Sequence, residues 1–270
     1  MNSLLLLLPA VLLYLTAGLI FTLRLFRREP AERPGRGLGL ACGFAALALH
    51  AGLLYANLAT SQGLNFSFFN AVSFATWLVN LLYLFTALFK PVESLGMVLL
   101  PLAAFTLILE SLFPGVRLLP PGTHWRLRVH VVISLLAYAV LAMAAVQALL
   151  LFFQDRRLRS HHPGGFVRAL PPLQTMEDLL FEMITVGFVL LTLALGSGFV
   201  FLEDMFAQHL VHKTLLSIAA WVIFAILLWG RHRSGWRGRT AIRWTLAGFA
   251  TLALAYFGSK AVVELILRRG

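Results

Sequence analysis

Four histidines stand where the sequence is otherwise apolar. His50 and His130 lie within or at the edge of long hydrophobic runs, and His209 and His212 are three residues apart between two such runs. A neutral imidazole in that setting can ligate a transition metal through a ring lone pair or pass a proton. Ionisable groups at membrane depth are costly, and such a residue marks function by default. Each has a plainer reading too. His130 can be an interfacial residue, His50 can bond a neighbouring carbonyl, and His209 and His212 can simply share one side of a helical turn. His161, His162 and His232 lie among arginines and read as solvated loop residues or headgroup contacts. Near the first group stand the cationic residues Arg126, Arg128 and Lys213 and the aromatic residues Trp125, Phe201 and Trp221.

The elements that must position these groups are membrane spans. Of 270 residues, 60% are hydrophobic and 12% charged, and the mean hydropathy is +0.85. A water-soluble chain could not carry that composition without a very large exposed apolar surface. The expected fold is all-α: a polytopic integral membrane protein of about eight transmembrane helices, forming a single transmembrane domain over residues 1–270. The net charge of +11 is spread through short loops between apolar runs, which points to topology and anionic lipid rather than to nucleic acid. One cysteine, Cys42, excludes an internal disulfide, a CxxC centre or a thiolate metal site. The N-terminal run MNSLLLLLPAVLLYL has no basic leader and reads as a retained span.

The hairpin from Phe181 to Trp244 organises the rest: a glycine-marked apolar helix, a loop carrying Glu203, Asp204, His209, His212 and Lys213, a second apolar helix, and a turn with Arg231, Arg233, Arg237, Arg239 and Arg243. Dense arginine beside a span is normally cytoplasmic, so the histidine loop is expected outside. The other helices are expected over 3–26, 38–59, 66–89, 95–113, 130–153 and 244–267. In that arrangement both termini are outside, and cytoplasmic loops carry about twice as many Lys and Arg as outer segments. Glu110 is expected at the outer surface. The stretch from Pro172 to Asp178 can be the start of an interfacial helix. Gly187, Gly196 and Gly198 let helices approach closely, and the GSG tripeptide at 196–198 can also admit a flat ligand.

Those features suit haem. Imidazole ligates its iron, apolar helices shield the ring, and cationic groups meet the propionates. Arg126, Arg128 and Lys213 are the propionate candidates, and Trp125, Phe201 and Trp221 are the stacking candidates.

Three stretches then resemble the cytochrome c assembly family of haem-handling membrane proteins, the CcsA, CcmC and CcmF group, and CcsA especially. RVHVVISLLAYAVLAMAAVQALLLF looks like the family's helix opening with an external haem-ligand histidine. ITVGFVLLTLALGSGFVFLED looks like its glycine-marked helix. HKTLLSIAAWVIFAILLWGR with GWRGRTAIRWTLAGFATLALAYFG looks like the helix after the outer loop, the basic turn and the final helix. The likeness is strongest over 126–267.

By position, the resemblance implies that His130 is the first external histidine, that His50 is the histidine within a transmembrane helix, and that Lys213 follows the tryptophan-rich signature. That signature is replaced here by MFAQHLVHK, Trp229 stands where a second membrane histidine is expected, and Leu267 falls near the last external one. The pattern is similar to a divergent branch, the small inner-membrane proteins of the YpjD type. The implied role is binding and presenting a b-type haem at a bacterial inner membrane. His130 would be the iron ligand, His209 or His212 the substitute partner, and His50 a further iron ligand. An apocytochrome or another membrane subunit would be the partner, since attachment itself needs one where the chain is expected to have no large outer domain and has no CxxC. Two other classes stay open. One is a small-molecule or ion transporter using His50, Asn80 and Glu110 as a polar path; the other is a non-catalytic structural subunit.

Overall fold

The computed structural model describes residues 3–27, 34–60, 63–117, 125–159, 170–201 and 211–258. Eight helices there are long and apolar enough to cross a membrane, and they form two compact units.

The first unit holds α1 (Ser3–Phe26), α2 (Arg36–Leu58), α3 (Phe68–Phe89) and α4 (Glu93–Leu112). Successive helices pack on each other and α4 returns to α1, which closes a four-helix ring. In α1 the pattern is visible in the residues. Leu5, Leu8, Leu12, Leu15 and Leu19 are exposed on one face, as lipid contact requires, while Ala10, Tyr14, Ala17 and Phe21 are fully buried on the other. Apolar burial gives no net drive between helices in lipid, so close packing of small residues must supply it. Ala46, Ala71, Ala75, Ala103 and Ala104 accordingly fill the seams of this unit. A short antiparallel ladder, β1 (Ala59–Thr60) with β2 (Gly63–Leu64), links α2 to α3 and is the one strand pairing among the described residues.

The second unit holds α5 (Trp125–Arg159), α6 (Leu173–Phe201), α7 (Val211–Ser234) and α8 (Gly238–Ala253), the last continuing as a π-turn over Leu254–Gly258. It closes in the same order, with α8 against α5. Gly187 on α6 faces α5 closely: an added Cβ would lie 2.5 Å from Leu141 Cδ2. Ala137, Ala144, Ala145 and Ala148 bury the facing side of α5.

Helix ends differ from the sequence expectation. α5 begins at Trp125, not near His130, and runs on through QDRRLR to Arg159, because no breaker intervenes and Arg159 pairs with Asp155 one turn back at 2.9 Å. α6 begins at Leu173, so the segment after Pro172 is the first turns of a span. α8 begins at Gly238, six residues before the expected start. Glu110 is not on the surface: it is 3% exposed, turned into the first unit. The expected end of the last helix at Leu267 lies outside the described residues.

Candidate functional site

His130 lies on α5 one turn after Arg126. That i, i+4 spacing puts both on one helix face, with Arg126 towards the helix end. The ring is half-buried, and its Nδ1 is 3.0 Å from the Ser197 Oγ of α6. Ser197 donates its own hydrogen to the Ala194 carbonyl at 2.9 Å. With its hydrogen given to Ala194, the hydroxyl oxygen can accept from the imidazole, and in that tautomer Nδ1 carries the hydrogen. That tautomer leaves a lone pair on Nε2, the arrangement a metal-ligating histidine needs. On the other side of His130, Ser134 returns its hydroxyl to the His130 carbonyl at 2.8 Å.

The space beside Ser197 is open. Among the described residues, a Cβ added at Gly196 would meet no atom within 4 Å, in contrast to Gly187 deeper in the same helix. The two glycines thus have different uses: Gly187 admits α5, and Gly196 leaves room.

The remaining candidates of this unit are placed as follows on their helices. Trp125, Arg126 and Arg128 form the exposed first turn of α5, with the Arg126 guanidinium 6.0 Å from the Trp125 ring centroid. His212 and Lys213 are exposed on the first turn of α7. Trp221 lies about 15 Å further along α7, half-buried, where it stacks on Phe188 at 5.4 Å and donates Nε1–H to Thr192 Oγ1 at 2.9 Å. Phe201 closes α6, and its side chain is outside the described residues, as is all of His209.

His50 belongs to the first unit and is fully buried. Its Nδ1 is 3.1 Å from Tyr14 Oη on α1, and its Nε2 is 2.9 Å from Ser73 Oγ on α3. Both ring nitrogens are engaged by hydroxyls, unlike those of His130. Among the described residues, no three His, Cys, Asp or Glu side chains are grouped as a metal site would need.

Sequence reasoning missed three partners. Ser197 was legible only as the middle of a glycine tripeptide. Tyr14 and Ser73 are uncharged residues in apolar helices and give no signal of their own. A fourth omission is Glu177 near the start of α6. It is 4% exposed and accepts hydrogen bonds from Gly238 N at 2.8 Å and Arg237 Nε at 3.1 Å.

Eight apolar helices in two rings, with a histidine nitrogen at an α5–α6 contact, define a multi-pass helical membrane protein. The model of the family described as cytochrome c assembly protein matches residues 38–267, and the chain belongs to that family. The match begins at α2, so it takes in most of the first unit as well as the second. The inner membrane protein YpjD of Escherichia coli K12 is 34% identical over 237 residues, covering 86% of this chain and 88% of its own. The cytochrome c biogenesis protein CcsA of Prochlorococcus marinus (strain MIT 9303) is 26% identical over 224 residues, 70% of each chain. CcsA of Synechococcus sp. (strain CC9605) is 25% identical over 187 residues, 61% of each. No solved structure matches. The protein is thus a multi-pass inner-membrane protein, and its family membership supports a haem-handling role in general terms.

Proposed function

We propose that the protein binds a b-type haem at the outer end of the second unit and holds it for a partner, with His130 Nε2 as an iron ligand. The observation that carries this is the His130–Ser197–Ala194 hydrogen-bond chain, which suits the tautomer with the hydrogen on Nδ1 and Nε2 free. The open position at Gly196 suits a flat ring, and Arg126 and Arg128 provide cationic partners for propionates within two turns of His130, with Lys213 a third candidate on α7. His212, or His209 outside the described residues, is the candidate second ligand. Bound haem supplies a redox-active iron and reactive vinyl groups. The chain's own groups hold the imidazole, screen one side with apolar helices and orient the carboxylates outward.

His50 is the less suited ligand, because it would have to leave both Tyr14 and Ser73 to bind iron. The acceptor in this reading is an apocytochrome, or a second membrane subunit that receives it, by analogy with the relatives named for cytochrome c biogenesis. The orientation that serves it has the His130 end and both chain termini outside, with the Arg231–Arg243 turn in the cytoplasm.

The test is an absorption spectrum of the detergent-purified protein, oxidised and dithionite-reduced, beside His130→Ala. A Soret band that the substitution abolishes or shifts supports the ligand. An identical band in both proteins removes His130 from the site, and no band in either after haem is supplied removes the haem reading.

A further inference from the structure

The first unit contains a buried polar column that haem binding at His130 does not use. It begins where Glu110 of α4 accepts a hydrogen bond from Asn57 Nδ2 of α2 at 2.8 Å. Asn57 is half-buried, which gives this end access to the surface. The other carboxyl oxygen, Oε2, is buried with no hydrogen-bond partner, and the Ser73 hydroxyl of α3 is a polar neighbour of the carboxyl. Ser73 then meets His50 Nε2 at 2.9 Å, and His50 Nδ1 meets Tyr14 Oη at 3.1 Å. All four helices contribute to this one level.

The column continues along α3. Ser73, Thr76, Asn80 and Tyr83 are spaced i, i+3, i+7 and i+10, one face of a helix about 15 Å long. Thr76 Oγ1 is 2.7 Å from Thr106 Oγ1 of α4. Asn80 donates to the carbonyls of Thr76 and Leu99, and its Oδ1 is buried and unpaired. The Tyr83 hydroxyl is likewise buried and unpaired. It fits only because α4 carries Gly96 opposite, where a Cβ would be 2.0 Å from it. Beyond Tyr83 lies Glu93, with Arg36 Nε at 3.6 Å and Arg24 Nη2 at 3.9 Å. Glu110 and Glu93 are thus at opposite ends of α4, about 25 Å apart along its axis, close to the thickness of a bilayer's hydrocarbon core.

Buried polar atoms without partners are rare in proteins, and each one needs an explanation. Here Glu110 Oε2, Asn80 Oδ1, Tyr83 Oη and Arg24 Nε, all in the first unit, belong to the residues of this column and its end. Internal water is the ordinary partner for such groups, and it needs several polar neighbours, which this column supplies.

We propose that the first unit carries a proton path between the Glu110 carboxyl and the Glu93 carboxyl, made of Ser73, His50, Tyr14, Thr76, Thr106, Tyr83 and intervening waters. Each hydroxyl, water or imidazole accepts a proton on one side as it releases its own on the other. One carboxyl loses a proton and the other gains it; each passage leaves the hydroxyls turned and the imidazole in its other tautomer, and they turn back before the next proton enters. Asn80 relays nothing itself and orients water at the narrow middle. The direction follows the proton gradient across the membrane. Arg24 and Arg36 pair with the Glu93 carboxylate at one end, whereas no cation among the described residues contacts Glu110 at the other.

The experiment uses the full chain in liposomes containing a fluorescent pH dye, with a potassium gradient and valinomycin to impose a membrane potential. The wild-type protein is expected to raise the rate of internal pH change above protein-free vesicles. Glu110→Gln abolishes the rise, Glu110→Asp largely keeps it, and Asn80→Leu, which closes the middle and leaves both carboxyls, abolishes it as well. A wild-type rate equal to that of protein-free vesicles overturns the path, as does an equal rate in wild type and Glu110→Gln. A flux that follows added sodium or potassium instead of pH also overturns it, because the column would then be a metal-cation path. These outcomes are independent of the haem reading, whose ligand lies in the other unit and whose spectrum the same preparations report.

Discussion

His130 Nδ1 and Ser197 Oγ, 3.0 Å apart, are the contact by which α6 holds an imidazole on α5. Removing a hydrogen-bond partner behind a metal-ligating histidine typically lowers metal affinity about 10–100-fold. Ser197→Ala is expected to weaken haem binding by that factor, read as a Soret titration of the apoprotein, without abolishing it as His130→Ala would. Wild-type affinity in Ser197→Ala would show that another group orients the ring.

Topology gives a second prediction. With Cys42→Ser as background, a cysteine at Ser234, exposed beside the basic turn, should react with a membrane-impermeant maleimide only in inverted vesicles. A cysteine at His212, exposed on the first turn of α7, should react only in intact spheroplasts. The opposite labelling would invert the orientation and put the His130 end in the cytoplasm.

A third concerns how α5 and α6 approach. Gly187→Ala drives a methyl group into Leu141, which is fully buried, at 2.5 Å. Overpacking of this kind typically costs about 1–3 kcal/mol. Leu141→Ala alone leaves a cavity at about 2–5 kcal/mol. The double variant should lose less than the sum of the two, because the new methyl occupies space that Leu141 vacates. Reversible unfolding in mixed micelles measures all three, and strict additivity would mean that the two positions do not share that space.

The spans were readable from apolar runs because hydropathy alone decides whether a segment can cross lipid, and the eight helices lie where those runs do. Their ends were less readable. Arg156, Arg157 and Arg159 looked like loop, yet charged residues are good helix formers once a span has nucleated the turn before them. The site was legible as far as its ionisable members. His50 and His130 announce themselves in apolar sequence, but Tyr14, Ser73 and Ser197 do not, and they are the partners of the ring nitrogens. Glu110 was assigned to the surface because it ends a span; only the packing of α2 against α4 shows that Asn57 holds it inward.

The last prediction separates two readings of the cytoplasmic-type basic turn. The arginines at 231–243 look from sequence like headgroup contacts, but Arg231 lies 4.4 Å above the Phe181 ring and pairs with Asp178 at 3.5 Å, and Arg239 pairs with Asp155 at 3.0 Å. The central partner is Glu177. Gly238 opens α8 with φ +53°, and the preceding Arg237 gives no side-chain cap, so the first amides of the helix need an acceptor from elsewhere. Glu177 Oε1 supplies it at 2.8 Å, while Oε2 pairs with Arg237 at 3.1 Å. A carboxylate there also faces the positive end of the helix dipole. Glu177→Ala should therefore destabilise the protein by about 1.5–3 kcal/mol, the range for a hydrogen bond to a charged group. Glu177→Gln, which keeps an acceptor for Gly238, should cost less. Arg237→Ala should cost about 0–1 kcal/mol, because Arg237 is half exposed and its ion pair is screened. Unfolding in mixed micelles orders the three, and an Arg237→Ala loss as large as that of Glu177→Ala would make the ion pair, rather than the cap on α8, the element that holds the turn.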